Sequence, residues 1–406
     1  MPNRTGLWLI GAHGGVSTTV AVGLACLKSG KIDQCGLVSE LEQFSRLGLA
    51  NWSDIVLGGH DIRNTDANAE AMKLAASSRA FDISLVEAAA TELGEFNERI
   101  RPGIILNVGT TINSLADEGR FSSAENAASA MAIVKEHLSE FKESNDLDRV
   151  VVINVSSTEP PYDASKLPSL WSELEPLMQA PECDLPASSI YAAAALDLGM
   201  PFVNFTPSAG NCLDALDDLA NQRDTCHMGH DGKTGETFMK SVLAPAFAKR
   251  NLNVMSWVGH NIFGNMDGLV LDDPVNKETK VTSKDKLLGQ ILGYDPQSHV
   301  SIEYIKSLGD WKTAWDHIHF RGFLGTQMTL QFTWQGCDSV LAAPLVLDLF
   351  RFTELAARKG ETGLLVWLSS FFKSPLGTDE NDFSAQFVDL ESWVELNSEV
   401  HSEDAS

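Results

Sequence analysis

The sequence predicts an α/β protein, a doubly wound parallel sheet with an inserted α+β domain. Three observations predict it. An apolar run at 7–10 leads through Gly11, Gly14 and Gly15 into small and apolar residues at 16–27. Apolar runs then alternate with helix-length segments as far as residue 204. Beyond Asn211 the pattern changes, with apolar and polar residues alternating at 300–304 and 327–334, before long helical patterns return from Asp338. Strands alternating with helices imply a parallel sheet covered on both faces, and period-two alternation implies strands with one polar face.

The first run reads as a buried strand and 16–27 as the helix after it. Strand, glycine turn and helix together open a Rossmann-like dinucleotide unit. The glycines let the backbone approach a pyrophosphate, and the helix N-terminus favours its charge. The usual spacing is G-x-G-x-x-G, whereas this chain has Gly11-Ala-His-Gly14-Gly15, so a plain tight connection fits the same residues. Strands follow at 55–57, 103–108, 149–155 and 201–204, with helices at 68–78, 83–100, 124–142 and 188–198. Ligands of such sheets lie at the carboxyl ends of the strands. Asp61, Ser156, Thr158 and Thr206 fall just after strands, where they can line that crevice, although each also suits a turn or helix cap. Residues 236–249 read as an amphipathic helix, and 300–304 and 327–334 as antiparallel strands. Helices at 339–358 and 364–372 pack back on the first domain, and the acidic tail from Asp389 frays. The expected domains are 1–211 with 337–406, and an inserted 212–336 whose sheet can pack on another subunit.

At 406 residues and 44% hydrophobic content, the chain has ample material for two domains. Its formal charge of -25 argues against nucleic acid and anionic membranes as partners. An anionic ligand then needs a local basic pocket, which makes any lysine cluster informative. The six cysteines are scattered without a CxxC pair and read as reduced thiols in a cytoplasmic protein. The short N-terminal apolar run, broken by Gly11 and His13, suits a strand better than a signal peptide. No apolar run approaches the ~20 residues that span a bilayer.

The densest polar chemistry lies at 260–284. Asn261, Asn265 and Asp267 suit hydroxyls, whereas Lys280 and Lys284 share a face if that end is helical and suit a phosphate or oxyanion. They point to a polyhydroxylated, phosphorylated substrate, while a surface loop with solvated lysines fits the same stretch. Gly229-His-Asp231-Gly-Lys233-Thr234-Gly-Glu-Thr237 imitates a P-loop, but His227 stands where glycine is needed and no strand is read before it. Its hydroxyls and helix start still suit a phosphate, as they suit an ordinary cap. The pairs His227/His230 and His317/His319 lack supporting ligands and read as structural or exposed histidines. Lys312 and Lys373 complete a set of four lysines in short motifs of the C-terminal half.

Taken together, these motifs resemble the myo-inositol-1-phosphate synthase (inositol-3-phosphate synthase) family. The family's G-D-D-x-K-S-G-Q-T-x-x-K-S resembles the run from Gly229 to Ser241, and its S-x-N-H-L-G-N-N-D-G the run ending Asn261-Ile-Phe-Gly264-Asn265-Met-Asp267-Gly268. Its S-K-E-I-S-K resembles Thr279-Lys280-Val-Thr-Ser-Lys284, and its G-D-S-K-x-A-x-D resembles Gly309-Asp310-Trp-Lys312-Thr-Ala-Trp-Asp316. Its C-E-D-S-L-L-A-x-P resembles Cys337-Asp338-Ser339-Val-Leu-Ala-Ala-Pro344, and its W-L-K-A-P-L resembles Phe371-Phe-Lys373-Ser-Pro-Leu. A weaker W-D-I-N-N resembles His60-Asp61-Ile62-Arg-Asn64. The departures are the glycine loop, which lacks the asparagines of G-W-G-G-N-N-G, Thr234 for Ser, His230 for Asp and Met266 for Asn.

The resemblance implies a retained NAD and conversion of glucose 6-phosphate into an inositol monophosphate by oxidation at C5, enolisation, aldol closure and reduction. It implies that Lys280 handles the proton of the C5 oxygen and Lys373 stabilises the C1 oxygen. Thr234, Lys284 and Lys312 would hold the phosphate, while Asn261, Asn265, Asp231, Asp267, Asp310 and Asp338 position cofactor, hydroxyls and lysines. Expected cofactor contacts are Gly11, Gly14, Gly15, Asp61, Ile62, Ser156, Thr158, Thr206, Asp231, Asn265 and Asp267. A monovalent or divalent cation beside Asp231, Asp267 or Asp338 is left open, and a homotetramer is implied. The rival readings are a cyclase or simple dehydrogenase of another sugar phosphate, and a silent NAD-binding regulator.

Overall fold

The computed structural model describes residues 4–265, 268 and 287–398. Among them, the first sheet has seven parallel strands: β1 (Thr5–Ile10), β2 (Ile55–Asp61), β3 (Ile100–Pro102), β4 (Arg149–Asn154), β5 (Phe202–Asn204), β6 (Cys226–Gly229) and β11 (Gly363–Leu364). Their order is β11-β6-β5-β4-β1-β2-β3, so the chain reverses direction across the sheet between β1 and β4. A crevice opens at such a switch point, at the carboxyl ends of the strands. Both faces are covered, as the unbroken burial of β1 and β2 requires. Successive β1 residues serve opposite cores. Leu7 and Leu9 pack with α1 (Gly15–Lys28), α2 (Ala67–Ser78) and α3 (Ile83–Glu98), while Trp8 and Ile10 pack on the other face. There α5 (Ala127–Ser144), the Ala-rich α7 (Ala187–Asp197) and α8 (Asp214–Gln222) cover them; α4 (Gly109–Asn113) and α6 (Trp171–Leu177) are short.

The second sheet contains β7 (Asn253–Phe263), β8 (Gln297–Tyr304), β9 (Trp311–Arg321) and β10 (Gln327–Cys337), in order β10-β9-β7-β8. Helix α9 (Gly235–Lys249) covers one face through Ala244 and Phe247 against Trp257 and Ile318. The expected all-antiparallel pairing holds for β7–β9 and β9–β10 but not for β8, which runs parallel to β7. Parallel neighbours need a long crossover, and the stretch from Phe263 to Gln297 supplies one. From Cys337 the chain re-enters the first domain as α10 (Asp338–Arg358) and closes with α11 (Phe383–Asn397).

Other expectations are corrected. The strand placed at 103–108 is β3, at Ile100–Pro102; beyond Pro102 the backbone leaves the ladder, and Ile104 N–H donates to the Tyr191 hydroxyl at 2.8 Å. The frayed tail is helical to Asn397, held by buried Leu390, Trp393 and Val394. A strand, β6, does precede the P-loop imitation; it lies within the 212–336 segment yet belongs to the first sheet. All six cysteines are free thiols, as expected.

Candidate active site

A cavity of about 570 Å3 lies at the switch point. Of the residues expected from sequence, Gly11, Gly14, Gly15, Asp61, Ile62, Ser156, Thr158, Thr206, Asp231, Thr234, Asn265, Asp310, Lys312, Asp338 and Lys373 line it. Asp267, Lys280 and Lys284 lie outside the described residues. Asn261 is apart from the cavity and fully buried, its amide donating to Glu236 Oε2 at 2.6 Å, and Glu236 in turn pairs with Lys240 at 2.7 Å.

Three helix starts border the cavity at Gly14, Thr234 and Asp338, the beginnings of α1, α9 and α10. None of the three N-caps makes a side-chain capping bond, and α1 carries no acid in its first turn. Helix N-termini present free N–H groups and the positive end of the macrodipole. At the start of α10 the Ser339 N–H is taken by Asp310 Oδ2, so the starts of α1 and α9 are the two that suit an anion.

The glycine turn allows close backbone approach despite its altered spacing. Gly11 has φ +87°, and a Cβ there would lie 2.9 Å from Ser156 Cα. Its N–H and that of Ala12 donate to the His60 carbonyl at 2.9 and 3.0 Å, folding the loop onto β2. His13 N–H then donates to Asp61 Oδ2 at 2.7 Å. Burial opposes the Asp61 charge, but the His13 hydrogen bonds and nearby Arg63 prevail and hold its carboxyl below the usual range. Across the crevice, Ser156 and Thr206 hydroxyls donate to the side chains of Asn154 and Asn204, each at 2.8 Å. These two hydroxyls are thus oriented by buried amides on adjacent strands. The cradle fits a dinucleotide: an uncapped helix start, a close-approach glycine and an ionised acid at the end of β2.

The charged wall comes from loops that sequence separates widely. Lys373 Nζ donates to Asp231 Oδ1 at 2.7 Å, and Lys373 N–H to the Asp231 carbonyl at 2.6 Å. Asp231 itself sits at φ +61°, a left-handed conformation that aspartate adopts more readily than most residues. Lys312 Nζ lies 4.0 Å from Asp338 Oδ1 and over the Phe263 ring at 5.2 Å. Asn265 Nδ2 bridges Asp310 and Asp338, 3.4 Å from each. Asp310 accepts from Cys337 Sγ at 2.8 Å and from the Ser339 N–H and hydroxyl, each at 2.9 Å. Burial pushes its carboxyl up, the hydrogen bonds from Cys337 and Ser339 oppose that, and neighbouring Asp338 adds to it. The expected residues that line the cavity thus converge, with each described lysine on the wall beside a carboxylate.

Lys233 behaves unlike a P-loop lysine. It is buried against α11, where its ammonium donates to Gln386 Oε1, and burial lowers its pKa to about 7. His227 is bonded to Asn211 and Asp217, and His317 is exposed. Among the described residues no group of three His, Cys, Asp or Glu side chains is arranged to hold a metal.

Sequence reasoning missed Arg63, Glu159, Ser188, Tyr191 and Ser339, which also line the cavity. Ser339 stands inside a quoted motif, whereas Ser188 and Tyr191 lie on the uniformly buried α7 and carry no local signal. Glu159 is buried and accepts from the Ser188 N–H at 2.9 Å and from its hydroxyl. Burial raises its pKa from 4.5 to about 7, with the Ser188 hydrogen bonds opposing. A carboxyl raised on folding contributes stability that is full below the unfolded pKa and lost as pH rises through the folded value. Glu159→Gln should therefore gain on the wild type by roughly 1–3 kcal/mol between pH 4.5 and pH 8. Urea unfolding across that range checks this, and a pH-independent difference would contradict it.

The fold and cavity define a dinucleotide-binding α/β protein. A family model described as myo-inositol-1-phosphate synthase, an NAD-binding family, matches residues 5–395. The chain belongs to the myo-inositol-1-phosphate synthase family. It is 32% identical to inositol-3-phosphate synthase 1 of Bacteroides thetaiotaomicron, over 94% of this chain and 91% of that protein. It is 30% identical to inositol-3-phosphate synthase 1 of Populus euphratica, over 88% of this chain and 76% of the relative. The crystal structure of inositol-3-phosphate synthase from Caenorhabditis elegans superposes with a TM-score of 0.87 at 23% identity, covering 99% of this chain and 87% of that one. A myo-inositol-1-phosphate synthase-related protein from Thermotoga maritima gives 0.78 at 24% identity, covering 98% and 100%. These two likenesses show the shared fold.

Proposed function

We propose that the protein cyclises D-glucose 6-phosphate to 1D-myo-inositol 3-phosphate with a retained NAD. The observation that carries this reading is one cavity combining a dinucleotide cradle with Lys312, Lys373 and the uncapped start of α9. A simple dehydrogenase has no use for a second oxyanion partner, whereas ring closure needs one. NAD, when bound, supplies the hydride acceptor and later the hydride donor. Lys280 exchanges the proton of the C5 oxygen. Lys373, held by Asp231, stabilises charge on the C1 oxygen as the ring closes. Thr234, Lys284 and Lys312 hold the phosphate, one of whose oxygens takes the C6 proton. Asp310 and Asp338 orient Asn265, and Asp267 completes the hydroxyl contacts. Orientation matters because an open sugar chain must be folded before C6 meets C1.

Lys312 then comes from the second sheet, and Asp231 and Lys373 from loops of the discontinuous dinucleotide-binding domain in which that sheet is inserted. A monovalent or divalent cation beside the cofactor would be held by Asp231, Asp267 or Asp338. A homotetramer is supported by Val258, Trp315, Met328 and Leu330, exposed on the second sheet. A cytoplasmic location is supported by the six free thiols. No helix among the described residues is long and apolar enough to cross a membrane.

The test is incubation with glucose 6-phosphate and NAD, following phosphorus NMR and nicotinamide absorbance together. A cyclitol phosphate without net NADH is expected. Stoichiometric NADH with an open-chain product would replace this reading with a dehydrogenase.

A further inference from the structure

The turn after β2 and one side of α2 carry cations that the proposed chemistry does not use. Glu70, Lys73, Leu74 and Ser77 recur at helical spacing on α2, and all four line the cavity. Arg63, two residues past the end of β2, lines it beside them. In dinucleotide-binding sheets this is the place of the adenosine ribose. An acid there reads the 2′-hydroxyl, and an arginine nearby accommodates a 2′-phosphate.

Asp61 occupies the acid's position but is committed to its own chain. Oδ2 accepts from His13 N–H at 2.7 Å and Oδ1 from Arg63 N–H at 2.9 Å, and the residue is only 7% exposed. A carboxylate engaged in this way, facing its own backbone, is a weak barrier to a phosphate. The Arg63 guanidinium lies 3.4 Å from Asp61 Oδ1 and 3.6 Å from Glu70 Oε2. Both separations exceed those of a charge-assisted hydrogen bond, about 2.7–2.9 Å, so its planar fork keeps donor capacity for a phosphate. Lys73 Nζ lies 3.7 Å from Glu70 Oε1, which also accepts from the Thr65 hydroxyl at 3.0 Å.

We propose that Arg63 and Lys73 form a receptor for the 2′-phosphate of the dinucleotide, so that the protein binds NADP as well as NAD. The proposal rests on the reading of the cavity as the dinucleotide site. Asp61 and Glu70 balance the two cations, so affinity for the phosphate comes from directed hydrogen bonds rather than a net positive field. That balance predicts acceptance of both nucleotides, with no strong preference for the phosphorylated one.

The full chain, freed of nucleotide, is titrated calorimetrically with NAD and with NADP. NADP is expected to bind within about tenfold of NAD. Arg63→Ala should shift the affinity ratio toward NAD by about tenfold or more, and Glu70→Gln should shift it toward NADP. A wild type that binds NAD and not NADP overturns the proposal, as does an Arg63→Ala variant with an unaltered ratio. Binding of neither nucleotide would instead overturn the reading of the cavity, and this proposal with it.

Discussion

Replacing Lys373 with alanine is expected to lower kcat by about 10²–10³-fold while NAD remains bound, the loss typical of one removed oxyanion partner. The lysine lies on the wall of the cavity, and both its ammonium and its backbone N–H are tied to Asp231. An ammonium held against a carboxylate stays charged and aimed, so it need not reorganise as negative charge develops on a substrate oxygen. The ordinary alternative is a structural ion pair that merely pins the Asp231 loop. The two roles separate by measurement. If its role were structural, removing Lys373 would lower the unfolding midpoint and scatter the nucleotide site as well. A catalytic one lowers turnover in a variant that still folds and still binds NAD with near-normal affinity. Undiminished formation of the cyclitol phosphate in Lys373→Ala would remove Lys373 from the ring-closing step.

The second large effect is expected at the glycine turn. Gly11→Val should cost about 1–3 kcal/mol of stability from the backbone conformation alone, because φ +87° is ill suited to a β-branched side chain. The new Cβ would meet the Ser156 backbone at 2.9 Å, and neither strand end can yield freely. Since Gly11, Asp61 and Ser156 meet at this point of the cavity, NAD affinity should fall by about 100-fold or more, in line with lost preorganisation. Nucleotide titration read beside thermal unfolding checks both parts. A variant that folds and binds NAD normally would show that the pyrophosphate does not cross this turn.

Much of the fold was legible because local signals agreed with it. The buried run 7–10, the small residues of α1 and the alternation through β5 report periodicity, which a single sequence displays directly. The corrections fall where a tertiary partner outweighs local pattern. Residues 103–108 are apolar enough for a strand, yet Ile104 N–H is satisfied by Tyr191 from α7. Strand β8 alternates like an antiparallel strand, and nothing in alternation encodes the direction of its neighbour. The segment from Asp389 is acidic, but Trp393 stacks on Trp367 at 3.8 Å, and that contact holds it in place.

The sequence by itself determined the chemistry available: the glycine turn, the lysine motifs and the hydroxyl-bearing helix starts, each a short pattern whose residue types dictate what they can bind. Tertiary structure alone decided which of them act together. Asp231 meets Lys373 across 142 positions, and Asn265 spans Asp310 and Asp338, because the chain returns to the switch point after building the second sheet. It also decided that Lys233, the lysine of the P-loop imitation, turns into the core against Gln386, and that Asn261 is buried away from the cavity with Glu236. Spacing along a chain fixes direction only within a helix or strand. Between elements, the packing of buried faces sets where a side chain points, and that is not written in any one segment.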